Sequence, residues 1–190
     1  MDARPDPRAV PHAVSEPSRR VMLGVALLSS TGLLSACQGQ LPEGFQTWTE
    51  AQKAVLDLRF HERRHEGAWN VPQLLEHLAQ SIEYSMSGYP APKPAWFQST
   101  LGKTAFALFD ARGKMSHDRD EPIPGAPALD AEVTLKHGVQ RLLDAMDAFA
   151  AWTGPLKPHF AYGPLSKAEY QRAHLMHIAH HWERLQPAAA

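Results

Sequence analysis

A chain of 190 residues with 19 basic against 20 acidic side chains, and no basic stripe interleaved with aromatic rings, is a poor partner for nucleic acid. The single cysteine excludes a disulfide framework. The absence of a glycine-rich phosphate loop, a Gly-x-Ser-x-Gly elbow or an internal repeat disfavours those enzyme classes and repeat folds. One domain accounts for the length that remains after the N-terminal segment described next.

Ser18-Arg19-Arg20 stands directly before an uncharged apolar run from Val21 to Leu34, which ends Leu34-Ser35-Ala36-Cys37. The run is short for a membrane span and the right size for the core of a signal peptide. It resembles a twin-arginine export signal closed by a bacterial lipobox, which implies removal of residues 1–36 and lipidation of Cys37. The expected location is the bacterial cell envelope, on the periplasmic side, with the protein held at a membrane by its lipid anchor. With Cys37 used as the anchor, the mature domain has no thiolate, so any metal site must be built from histidine and carboxylate.

Residues 37–46 read as a short polar tether and 47–186 as the folded domain. Thr47-Trp48-Thr49-Glu50 has capping-box spacing and opens a helix expected to reach about Arg64, with His61 and His65 at its solvated end. Asn70 caps a second helix, with Pro72 tolerated in the first turn and Gly88 as its stop. Along it Leu74, His77, Leu78, Ser81 and Ser85 share one face. A histidine in an apolar stripe needs a hydrogen bond or a ligand, because burying an unpaired imidazole is costly.

After the prolines at 90, 92 and 94, Trp96 to about Ala111 reads as a further helix, and Met115 to Pro127 as a long loop. Long ordered loops often belong to a site, although an exposed crossover is equally compatible. Asp130 is the expected cap of a helix from Ala131 to about Trp152. Ser166-Lys167-Ala168-Glu169 is a capping box for the last helix, which runs to about Leu185. No segment alternates as a strand does. The reading is all-α: four main helices and one accessory helix in a bundle with long crossover loops.

The last helix carries four of the eleven histidines between His174 and His181. His177 and His181 lie about 40° apart around the helix and about 6 Å apart along it, a spacing suited to two ligands of one ion. His174 sits one turn earlier on the same side, as a further ligand or a group that orients one. His180 points about a quarter-turn away, toward a supporting role or the surface.

Trp69-Asn70, the stretch Leu75 to Glu83, the loop His159-Phe160-Ala161-Tyr162-Gly163 and the segment His177 to His181 together resemble the DinB-like superfamily, in a branch described as a domain of unknown function. That resemblance implies a four-helix bundle binding a divalent ion, zinc or nickel, through His77, His177 and His181. It also implies small-molecule chemistry of the hydrolase or thiol-transferase kind, with no catalytic base assigned. A non-catalytic metal-binding or scaffold lipoprotein uses the same ligands and stands as the alternative. A small-molecule substrate and a second copy of the chain are the partners left open.

Overall fold

In the computed structural model, residues 38–188 are described; the segment read as an export signal and Cys37, read as its lipidation site, lie outside them. Five helices of ten or more residues dominate them: α1 (Trp48–Asp57), α2 (Val71–Ser87), α4 (Lys103–Arg112), α5 (Leu135–Ala151) and α6 (Lys167–Trp182). A single turn, α3 (Ala95–Phe97), leads into α4 through a π-turn at Gln98–Gly102. The fold is all-α, with one small exception. β1 (Arg63–His65) and β2 (Leu185–Pro187) pair antiparallel, Arg64 opposite Gln186.

Three helix starts are set by reciprocal caps. Thr47, Asn70 and Ser166 each accept the backbone N–H three residues on, and Glu50, Gln73 and Glu169 reach back to the cap. These caps satisfy donors that the first helical turn otherwise leaves open. The fourth start departs from expectation. Asp130 accepts the N–H of Glu132 and forms a local turn, while Thr134 caps α5 by accepting from His137. A side chain that can bond its own backbone two residues on builds turns as readily as caps.

α1, α2, α5 and α6 form the bundle, in which α2 lies most extensively along α5. Ala51 and Val55 of α1, Leu74, Leu78 and Ile82 of α2, and Leu142, Met146 and Phe149 of α5 are buried together with Tyr170 and Ile178 of α6. α6 is buried on more than one side, and its histidines go inward with its apolar residues. α4 packs outside the bundle against α6. The π-turn ahead of it comes close to the loop before α6 at Gly102, where a Cβ would collide with the carbonyl of Ala161. Among the described residues no helix is long and apolar enough to cross a membrane.

Two stretches differ from the sequence reading. α1 ends at Asp57 rather than near Arg64, because the chain must turn for β1 to pair with β2; tertiary pairing overrides a helical pattern that has no apolar face left to bury. Residues 38–46 are docked rather than free. Leu41 and Phe45 enter the core, Gly39 donates to the Asp110 carbonyl at 2.9 Å, and Arg172 binds both the Gly39 carbonyl and the Asp110 carboxylate.

Candidate metal centre

α2 and α6 deliver three imidazoles to one point. His77 Nε2 lies 3.2 Å from His177 Nε2, which lies 3.1 Å from His181 Nε2. One ligand nitrogen from each falls within 4.8 Å of the others. Tetrahedral zinc with bonds of about 2 Å separates its ligands by about 3.3 Å, so these spacings suit a single ion.

The electrostatics favour the ligand form. Burial holds His77 neutral, with a pKa lowered to about 3, and the neighbouring His117 adds to the effect. His177 and His181 are pushed down in the same way, by burial first and then by a neighbouring imidazole, His181 beside His177 and His77 beside His181. A neutral imidazole offers a lone pair, which is what a metal takes. Hydrogen bonding alone does not satisfy the cluster: one Nε2 proton cannot serve three nitrogens, and the Nδ1 atoms of His77 and His181 are buried without partners. Trp69 covers the group, its ring 4.8 Å from that of His77 and 6.4 Å from that of His181.

The triad opens onto a mostly apolar cavity of about 240 Å³. His77, His177 and His117 line one part of it, with Phe97, Tyr162 and Ile123 elsewhere in the wall. The cavity can admit a small organic molecule beside the three nitrogens.

A family model described as a protein of unknown function, DUF1569, matches residues 42–188. The chain belongs to the DUF1569 family. Comparison with curated proteins and with solved structures finds no match.

The match covers the whole bundle and every histidine of this DUF1569 site. His174 stays outside the triad: its ring stacks on Tyr170 at 5.5 Å and meets Phe149 edge-on at 5.2 Å. His180 is buried rather than at the surface, with its Nδ1 accepting from Arg119 at 3.1 Å and its Nε2 near the backbone of His117. Glu76, beside His77 in sequence, turns away to Arg141 of α5, which also holds Glu83 at 2.8 Å. Neither carboxylate reaches the cavity.

His117 is the residue that the spacing of helical motifs does not reveal. It lies on the loop after α4, where no period connects it to His77, His177 and His181. The signal available was indirect: a long proline-rich loop carrying Ser116-His117-Asp118.

Proposed function

We propose that this protein is an exported, lipid-anchored metalloprotein of the DinB-like kind, in which His77, His177 and His181 bind one divalent ion, zinc or nickel, beside a small-molecule pocket. The observation that carries this reading is the convergence of three neutral Nε2 atoms from two helices, spaced 3.1 and 3.2 Å apart, where a shared proton cannot satisfy all three. A divalent ion held by three imidazoles keeps a position for water or substrate, where it lowers the pKa of water or polarises a carbonyl. The protein's own contribution is to hold the imidazoles neutral, shield them with Trp69 and shape an apolar pocket next to them. A hydrolase or transferase reaction on a small molecule is the activity this arrangement suits. His174 in the cavity wall and His180 behind the loop act in support.

Elemental analysis of the tag-free domain tests the metal, with one equivalent of zinc or nickel expected. Alanine variants of His77, His177 and His181 should each lose it; equal metal content in wild type and variants refutes the site. The anchor has its own test. Cys37→Ser should move the protein from the membrane to the soluble fraction, and unchanged fractionation of a mature-length variant refutes lipidation.

A further inference from the structure

The geometry points to His117 as a fourth nitrogen ligand, delivered to His177 and His181 by the loop between α4 and α5. This inference rests on the metal reading above and deepens it. The ring of His117 lies 5.1 Å from that of His177 and 5.3 Å from that of His181. His77 lies 5.1 Å from each of the same two rings. His117 therefore stands to the α6 pair as His77 does, from a loop instead of a helix.

Its tautomer is determined. His117 Nδ1 is 2.6 Å from the backbone carbonyl of Asp118, which can only accept, so Nδ1 carries the proton and donates it. In the neutral ring Nε2 then holds a bare lone pair, and that atom is buried with no partner. A donated Nδ1–H with a free Nε2 is the arrangement in which histidines ligate metals. The Nε2 falls outside the group formed by the other three within 4.8 Å, so ligation draws the loop inward.

The loop is tied to the helix that supplies two of the ligands. Arg119 has no lone pair, so His180 Nδ1 accepts from it at 3.1 Å, leaving His180 Nε2–H to donate to the His117 carbonyl at 3.1 Å. The longer 3.4 Å approach of the His117 N–H to the same Nε2 is then a contact and not a bond. Arg119 also pairs with Glu183, which pairs with Lys114 at 2.7 Å, so both ends of the segment Lys114–Arg119 are fastened to the C-terminal end of α6. His180 is thus a positioning residue for His117.

In the resting protein the position left by the triad is closed by His117, and a ligand entering from the cavity must displace it. Cobalt(II) substitution reads this directly. In the proton spectrum of the cobalt protein, each ligating imidazole with a protonated remote nitrogen gives one hyperfine-shifted exchangeable resonance. Four are expected in wild type and three in His117→Ala. Azide binding, followed by the visible cobalt spectrum, should be at least about tenfold tighter in His117→Ala, because a site closed nine-tenths of the time loses that factor in apparent affinity. His180→Ala should keep cobalt and bind azide with intermediate affinity. Three resonances in wild type, with azide affinity unchanged in His117→Ala, overturn the assignment while leaving the triad intact; wild type that takes up no cobalt overturns the triad as well. The count in wild type needs no variant to fold.

Discussion

His77, His177 and His181, the first two of which reach one part of the cavity wall, and His159 and His174 at another, are side chains whose basicity burial suppresses, yet their nitrogens are treated differently. His159 Nδ1 accepts from the backbone N–H groups of Ala161 and Tyr162 at 3.1 and 3.2 Å, and its ring lies flat on Tyr162 with centroids 4.2 Å apart. His174 stacks on Tyr170. The triad instead turns its Nε2 atoms toward one another. Burial and suppressed basicity are common to both sets and identify neither as a site; convergence of lone pairs on a shared point separates them. The second set reads as a wall that shapes the pocket, the first as its chemistry.

The largest expected effect tests the shared property. Burial holds His159 and His174 at about 3, against an unfolded value of about 6.5. The unfolded chain therefore takes up protons that the folded one refuses. Stability from these groups is complete above about pH 6.5 and is lost as pH falls toward about 3. At pH 5 each costs about 2 kcal/mol, so the pair removes about 4 kcal/mol relative to pH 7. Urea unfolding of the metal-free protein at the two pH values measures this loss together with that of the triad and His180, which burial suppresses in the same way. His159→Phe, which keeps a ring to stack on Tyr162, should remove about half of this two-histidine share; an undiminished loss means that His159 is protonated within the fold and breaks the comparison.

The next effect tests the difference. Removing one ligand of the triad should cost about 3 kcal/mol of a metal-binding free energy on the order of 10 kcal/mol, roughly a hundredfold in affinity. Zinc titration of His177→Ala should show this drop, whereas His159→Phe should stay within about threefold of wild type. Equal losses in both would make the cavity one extended site.

Arg141 offers a contrast on the opposite face of α2. It holds Glu76, which is only 8% exposed, together with Glu83. Arg141→Ala strands a nearly buried carboxylate and should destabilise by about 2 kcal/mol, a moderate figure because Arg141 keeps part of its surface in water. Metal affinity should hardly change, since Glu76 faces α5 and not the cavity. A matched loss of metal binding in thermal and zinc titrations would show that α2 transmits strain to His77.

What the chain reveals before folding follows from the range of the forces involved. Thr47, Asn70 and Ser166 are legible as caps because their partners lie three residues away. His177 and His181 are legible as a pair because one helix fixes their spacing. His77 becomes legible through its apolar stripe together with family likeness, and its convergence with the α6 pair awaits the packing of α2 on α6. The β1–β2 pairing joins residues more than a hundred positions apart, and nothing in Arg63-Arg64-His65 marks a strand. The docking of Leu41 and Phe45 depends on Arg172 and Asp110, which are distant in sequence. His117 is hidden for the same reason: its tautomer comes from Asp118 next door, but its aim comes from His180 and Arg119.

The smallest expected effect separates two histidines that sequence spacing treats alike. His61 and His65 are four residues apart, and a continuous helix would place both at one exposed end. The end of α1 at Asp57 divides them. His61 pairs with Asp57 at 2.7 Å on an exposed surface, with 64% of its side chain open to water, and such pairs contribute little. His65 lies on β1, half-buried, and its Nδ1–H donates to the Trp69 carbonyl at 2.9 Å. Trp69 in turn packs on His77 and His181. His61→Ala should therefore stay within about 0.5 kcal/mol of wild type in stability, with unchanged zinc affinity. His65→Ala removes the bond that holds the Trp69 backbone and should lower stability by about 1 kcal/mol and weaken zinc binding by a few-fold. Denaturant midpoints and zinc titrations of the two variants in parallel decide it: indistinguishable behaviour would mean that Trp69 holds its place over the triad without help from β1.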